Sequence, residues 1–251
     1  MSRHGALAGL PHVGPVDALA ALPARRRRWP VLVLLLAAAL LLLAARPAHT
    51  STPTSLQEAR LVGVRGPGCI RLVLLADVSG SMAQYTAART TALGEVLAWV
   101  PGNLRPDDEL AVIDWAAQPA AAMPVTTVAA ITGGPARLDQ PTVDPGSTNL
   151  TPAVELVGAQ PASRCRTLAA VLSDGLISDP DPAAMLNTLK QAHVDQVQLL
   201  RPSPDLPTPT TWRHTLPYAP STAFNGNSPT DTALTFGQLL ATLTGQHLTR
   251  T

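Results

Sequence analysis

The sequence predicts an α/β fold, a doubly wound and mainly parallel β-sheet with helices on both faces, preceded by one N-terminal transmembrane helix. Short apolar runs of strand length end in polar loops, and segments with helical spacing of apolar residues follow them. One longer apolar run follows four consecutive arginines. Of the 251 residues 46% are hydrophobic, which is enough to bury a core, and 25 are proline. This composition excludes a fully disordered chain and a long coiled coil.

The N-terminal apolar run predicts a membrane segment. Residues 31–45 carry no polar side chain, and arginines occupy positions 25–28. By the positive-inside rule residues 1–28 are cytoplasmic, residues 29–46 form a signal anchor, and the rest of the chain lies outside. The run spans about 22 Å, less than the ~30 Å hydrocarbon core, so a cleavable signal peptide is the alternative. Large residues stand where a cleavage site needs small ones, which favours a single-pass anchor in the cell membrane.

A linker and one folded domain are predicted after the anchor. Residues 47–68 contain Thr, Ser, Pro and Gly without a sustained period, which is typical of a linker. The domain comprises residues 69–251, with a Pro-rich insertion at 201–230. This insertion either packs nowhere or supplies contacts to a ligand. The candidate contacts are its aromatic side chains, Trp212, Tyr218 and Phe224.

Strands and helices alternate along the domain, as a parallel sheet requires. Continuous or alternating apolar runs predict five strands, at residues 70–76, 110–113, 121–128, 167–172 and 194–200. Helical spacing predicts four helices, at residues 82–100, 148–157, 183–193 and 232–243. Residues 247–251 form at most one short edge strand.

Three polar motifs fall at junctions between these elements. They are Asp-Val-Ser-Gly-Ser at 77–81, Gly-Ser-Thr-Asn-Leu at 146–150 and Ser-Asp-Gly at 173–175. Because ligands of parallel sheets bind at the carboxyl ends of strands, the polar side chains of the motifs are expected to meet at one edge. Two carboxylates and three hydroxyls suit a hard cation such as Mg²⁺, whereas Zn²⁺ prefers His and Cys. The candidate ligands are Asp77, Ser79, Ser81, Thr148 and Asp174.

These motifs, in this order, resemble the metal-ion-dependent adhesion site of von Willebrand factor type A domains, here of a bacterial membrane-anchored type. The resemblance implies that Ser79, Ser81 and Thr148 offer hydroxyl oxygens to Mg²⁺ or Mn²⁺, while Asp77 and Asp174 hold the ion largely through water. It also implies an open coordination position. Since neutral hydroxyls leave the ion much of its charge, the expected partner is a protein with an exposed Asp or Glu.

The resemblance also bears on the two cysteines. In the strand order of the family the first and fourth predicted strands are neighbours, which places Cys69 and Cys165 at the same end of adjacent strands, opposite the metal. Outside the cytoplasm, a disulfide between them is expected. The alternative is a pair of buried free thiols.

The function these observations favour is that of a membrane-tethered extracytoplasmic binding module and not of an enzyme. The formal net charge is +1 and the aromatic content 3%, without a basic stripe, which excludes nucleic acid as a ligand. The sequence has no nucleophile elbow, zinc-protease motif or phosphate loop. Two alternatives stay open: a Mg²⁺-dependent hydrolase using Asp77 and Asp174, and a structural subunit of an envelope complex with a vestigial metal site.

Overall fold

A computed structural model describes residues 52–133, 138–139, 142–179 and 181–250. Its strands are β1 (Ala59–Val62), β2 (Ile70–Asp77), β3 (Glu109–Trp115), β4 (Pro119–Thr127), β5 (Arg166–Leu172), β6 (Gln196–Arg201), β7 (Ser221–Ala223) and β8 (His247–Arg250). Its α-helices are α1 (Thr86–Trp99), α2 (Val128–Gly133), α3 (Leu150–Gly158), α4 (Pro182–Gln191), α5 (Thr210–Thr215) and α6 (Pro229–Thr244).

The main sheet has six strands in the order β4-β3-β2-β5-β6-β7. All neighbouring pairs are parallel except β3 with β4, which run antiparallel. The central strand β2 is buried along its whole length because helices cover both faces of the sheet. The expectation that the first and fourth predicted strands are neighbours is confirmed, since β2 pairs with β5 over Ile70–Ala76. The expected fold class of the domain is therefore confirmed.

Alternate residues of β2 enter two separate hydrophobic clusters. Leu72 and Leu74 pack with apolar residues of α1 and α6 on one face. Val73 and Leu75 pack with residues of α3, α4 and α5 on the other. This division follows from the two-residue period of a strand, and it is why the run is apolar without interruption at these positions. The sheet is thus fixed from both sides, and its carboxyl edge carries the polar motifs.

The folded domain begins before the predicted boundary at Cys69. Residues of β1 pair antiparallel with β8, with Ala59 opposite Arg250. Leu56 is fully buried and lies against Gly237 of α6, where a Cβ atom would come within 2.5 Å of its Cδ1. The indole Nε1 of Trp99 donates to the carbonyl oxygen of Ala59 at 2.7 Å. The prediction that 47–68 is a linker is therefore wrong for residues 56–62, which form part of the fold.

The predicted anchor, residues 29–46, and the cytoplasmic segment, residues 1–28, lie outside the described residues. Within the part of the chain that the structure describes, no helix has the length and apolar character needed to cross a membrane.

Candidate metal centre

Asp77 ends β2 and is completely buried. Its Oδ1 accepts a hydrogen bond from the backbone N–H of Ser79 at 2.8 Å, and its Oδ2 accepts one from the Ser173 hydroxyl at 2.6 Å. Burial raises the pKa of Asp77, and the nearby Asp174 carboxylate raises it further, whereas the hydrogen bonds from Ser173 and Ser79 act in the opposite direction. Asp77 is thus a fixed carboxylate with a second negative charge near it.

The two serines of the first motif lie side by side in the turn after β2. Their Oγ atoms are 3.3 Å apart. Ser79 is buried and Ser81 is exposed, so the pair leads from the buried carboxylate to the surface. The backbone N–H of Val78 donates to Trp115 of β3, and that of Met82 to Ser79, which begins a short 3-10 helix at Gly80–Tyr85. The predicted helix 82–100 accordingly becomes α-helical only from Thr86.

Asp174 follows β5, the strand beside β2, and is 8% exposed. Its Oδ1 accepts the backbone N–H of Leu176 at 3.0 Å. Gly175 between them has a φ of +81°, and a Cβ there would come within 3.0 Å of Pro209, so glycine is required in the Ser-Asp-Gly motif. The Ser173 hydroxyl also accepts the N–H of Gly175, at 2.9 Å. One serine therefore joins this loop to Asp77.

Thr148 is half-buried in the loop before α3. Its carbonyl oxygen accepts the backbone N–H of Ser178 at 2.9 Å, which joins its loop to the one that follows Asp174. The structure thus brings Asp77, Ser79, Ser81 and Asp174 together by hydrogen bonds and charge. Thr148 is connected to the loop after Asp174 through the backbone of Ser178, and no hydrogen bond among the described residues links it directly to the other four.

Asp179 is a residue of this edge that sequence reasoning missed. Its two carboxylate oxygens accept the N–H groups of Leu150 and Thr151, at 3.0 and 2.6 Å, and so cap α3 from another loop. From the sequence, Asp179 could be taken for the N-cap of α4 because it stands just before Pro182. The residue that caps α4 in the structure is Asp181. No local pattern connects a cap to a helix that begins 29 residues earlier.

Arg89 and Asp114 form a second missed feature behind Asp77. Nη1 of Arg89 donates to the Asp77 carbonyl oxygen at 3.3 Å, and Nη2 lies 3.9 Å from Asp114 Oδ1. Burial lowers the pKa of Arg89 and raises that of Asp114. The sequence does contain a signal for this pair, namely an aspartate, Asp114, within the apolar strand β3. A charge buried in a sheet needs a partner, so a nearby cation could have been expected.

The disulfide between Cys69 and Cys165 is present and confirms the prediction. The two Cα atoms are 4.6 Å apart, at the amino ends of β2 and β5. The backbone N–H of Arg166 donates to the carbonyl oxygen of Cys69 at 3.1 Å, so the covalent bond continues the parallel ladder. The bond lies at the end of these strands opposite Asp77 and Asp174.

The Pro-rich insertion is folded against the domain. Trp212 in α5 is 1% exposed and Phe224 is 9% exposed, and they belong to different hydrophobic clusters. The prediction that these two side chains contact a ligand is therefore wrong, as is the alternative that the insertion packs nowhere. Tyr218 is 96% exposed. It lines a cavity of about 540 Å³ with Val194, near the amino end of β6 and away from the metal edge.

Among the described residues no three His, Cys, Asp or Glu side chains are grouped so that they could hold a metal ion. The predicted ligand set has a different composition, since three of its five members are hydroxyls.

The sequence matches no protein-family model and no curated protein significantly. Its structure resembles a von Willebrand factor type A protein from Catenulispora acidiphila with a TM-score of 0.50 at 16% identity, covering 73% of this chain and 47% of that one. BatB from Bacteroides thetaiotaomicron gives 0.46 at 14% identity, covering 69% and 98%. Proximal thread matrix protein 1 from the mussel byssus, with a zinc-occupied site, gives 0.45 at 17%, covering 70% and 47%.

The likeness to the Catenulispora protein shows that the domain has a von Willebrand factor type A fold. The aligned part spans about half the length of the Catenulispora and mussel chains. At these identities the comparison concerns the fold, and the roles of individual residues depend on the geometry of this chain.

Proposed function

We propose that the chain is a binding module that engages a carboxylate of a partner protein through a divalent cation held at the carboxyl edge of β2 and β5. The observation that carries this proposal is the pair of serine hydroxyls beside Asp77. Adjacent ligands of an octahedral Mg²⁺ ion with metal–oxygen bonds of ~2.0–2.1 Å lie about 3 Å apart. The Oγ atoms of Ser79 and Ser81 are 3.3 Å apart. Their positions therefore fit such an ion.

The charges of the edge also fit a cation. Asp77 is buried with Asp174 close enough to raise its pKa, and a divalent ion between them would offset this repulsion. Ser79, Ser81 and Thr148 would hold the ion directly, and Asp77 and Asp174 largely through water. Mg²⁺ or Mn²⁺ is the expected ion because all these donors are oxygen. When bound, it would supply a positive charge that attracts an external carboxylate.

The residues around the ligands serve to fix them. Ser173 orients Asp77 and at the same time closes the loop of Asp174. Ser81 is exposed, which leaves the site accessible from solvent. A partner's Asp or Glu would approach from this side and occupy the open coordination position. No bond in the partner would be broken.

Binding is favoured over hydrolysis by the state of the two carboxylates. A metal-dependent hydrolase needs a carboxylate free to take a proton from water. Both oxygens of Asp77 already accept hydrogen bonds and the side chain is fully buried. Asp174 accepts a backbone N–H and is 8% exposed. Asp77 is thus fully engaged and shielded from water, and Asp174 is largely buried, which favours a binding role over that of a general base.

We infer that residues 29–46 tether the domain to the cell membrane and that the domain lies on the extracytoplasmic side. The arginines before the apolar run support this orientation. The disulfide supports it independently, because such bonds persist in oxidising compartments.

The test is a metal titration of the full chain in mild detergent, followed by thermal unfolding. At a hundred times the dissociation constant, Mn²⁺ or Mg²⁺ should stabilise the protein by about 2.7 kcal/mol relative to chelator. Ser81→Ala should weaken the binding about tenfold or more. Ser178→Ala, at an exposed serine of the same edge, should bind the metal as the wild type does.

Two results would contradict the proposal. One is an equal response of Ser81→Ala and the wild type to metal. The other is a wild-type melting temperature that no divalent ion changes, with poly-glutamate present to supply carboxylates as well as without it.

A further inference from the structure

Arg89 is a buried cation with few partners. It is 7% exposed, and among the described residues its guanidinium makes one hydrogen bond, the 3.3 Å bond to the carbonyl oxygen of Asp77. A guanidinium has five N–H donors. The nearest carboxylate oxygen, on Asp114, lies 3.9 Å from Nη2, which is too far for a hydrogen bond. Burial of a charge without such bonds costs free energy, and burial is the largest cause of the lowered pKa of Arg89.

A cavity of about 320 Å³ lies beside this guanidinium. Both members of the pair line it, Arg89 and Asp114, together with Thr90 and Asp139. Leu93 and Val112 are among its apolar residues. The volume is at the lower end of the range for ligand pockets, which is ~300–1,000 Å³. The cavity therefore has room for a small molecule, and it offers that molecule a cation with unused donors.

We propose that this cavity binds a free α-amino acid with a small apolar side chain. The α-carboxylate would accept hydrogen bonds from Arg89, and the α-ammonium would donate to Asp114. The apolar side chain would lie against Leu93 and Val112. Because both charged groups of an amino acid are attached to one carbon, they match a cation and an anion that are 3.9 Å apart.

Simpler ligands fit less well. A carboxylate without an ammonium group would approach Arg89 but also the like charge of Asp114. An amine without a carboxylate would bond Asp114 and leave the remaining Arg89 donors without acceptors in a more completely buried site. With a zwitterion the charges of Arg89, the α-carboxylate, the α-ammonium group and Asp114 alternate in sign. Asp139 adds a second carboxylate to the cavity wall, which also favours a ligand that carries an ammonium group. Leu93 and Val112 offer no hydrogen-bond partner, so a ligand side chain that lies against them is expected to be apolar.

The cavity is distinct from the proposed metal centre. Its polar groups come from α1, β3 and the segment after β4, whereas the metal ligands follow β2 and β5 and precede α3. The loop after β2 borders both, since Val78 lines the cavity between the proposed ligands Asp77 and Ser79. Both features meet at Asp77, through its backbone carbonyl oxygen. Binding of a carboxylate in the cavity can be distinguished from binding at the metal centre, because only the metal centre requires a metal ion.

The test uses the full chain in mild detergent with chelator present, so that no carboxylate binds through a metal. Leucine and valine are compared with leucinamide, which lacks the carboxylate, and with 4-methylpentanoate, which lacks the ammonium group. Leucine or valine at ten times its dissociation constant should raise the melting temperature by about 3 °C or more. Each analogue should bind about tenfold or more weakly, since it leaves a buried charge unpaired.

Asp114→Asn should weaken the binding of leucine about tenfold and leave the stabilisation by Mn²⁺, measured without chelator, unchanged. The ligand series needs no variant and remains decisive if Asp114→Asn does not fold. The proposal is overturned if no amino acid shifts the melting temperature, if either analogue binds as tightly as leucine, or if Asp114→Asn responds to leucine as the wild type does.

Discussion

Removal of the Cys69–Cys165 disulfide should destabilise the domain strongly. The two cysteines are 96 residues apart in sequence. In the chain-entropy relation, a cross-link closing a loop of that length lowers the entropy of the unfolded chain enough to stabilise the native state by about 4.7 kcal/mol at 25 °C. For a domain of this size, with about 2–4 °C per kcal/mol, the melting temperature should fall by about 10–20 °C.

The measurement is guanidinium unfolding of the oxidised full chain beside the double variant Cys69→Ser, Cys165→Ser. The slope of the unfolding free energy against denaturant should fall in the oxidised protein, because a cross-linked unfolded chain exposes less surface. Alkylation followed by mass spectrometry verifies that the oxidised sample has no free thiol. Reducing agent should shift the midpoint of the wild type and leave that of the double variant unchanged.

A loss of less than about 1 kcal/mol in the double variant would refute this reasoning. It would mean that the unfolded chain keeps the amino ends of β2 and β5 close together without the bond. The entropic contribution would then already be present in the reduced protein.

Two further predictions concern the carboxylates of the metal edge. Asp179→Ala should destabilise the domain by about 1–2 kcal/mol, because it leaves the first two N–H groups of α3 without their acceptor. Chemical unfolding measures this loss, and a change below about 0.3 kcal/mol would contradict the capping role. Metal-free wild type should lose stability relative to Asp77→Asn as the pH rises from 3.8 toward neutrality. The raised pKa of Asp77 means that the native state holds this proton more tightly than the unfolded state does, so deprotonation at higher pH disfavours the native state. Melting temperatures of both proteins across this pH range test it, and parallel curves would exclude a costly buried charge.

The sequence predicted the parts of the fold that depend on local pattern. The apolar run of β2 and the polar residues after it identify the central strand and its polar carboxyl end, since a strand buried on both faces contains few polar side chains. The start of α4 is likewise local, because Asp181 caps it and Pro182 occupies its first turn.

Features that depend on distant contacts were missed. β1 has four residues and no regular alternation, and it becomes a strand only because β8 pairs with it from the other end of the chain. The insertion 201–230 has the composition of a loop, yet it buries Trp212 in the hydrophobic cluster that α3 and α4 form with the sheet. The antiparallel direction of β4 is also invisible locally, since its side-chain pattern is the same in either direction.

The position of Cys69 decides how the domain would respond to mechanical force. A pull on Thr52, away from the carboxyl edge of the sheet, would first withdraw Leu56 from its contact with Gly237 and then separate β1 from β8. It would then break the paired hydrogen bonds from Arg65 to Asp108. Extension would stop at Cys69, which is covalently fixed to a neighbouring strand. Residues 52–68 would thus add at most about 60 Å of extended chain, while the main sheet and its carboxyl edge stayed intact. In the membrane-tethered arrangement proposed above, these residues would act as an extensible spacer of limited length.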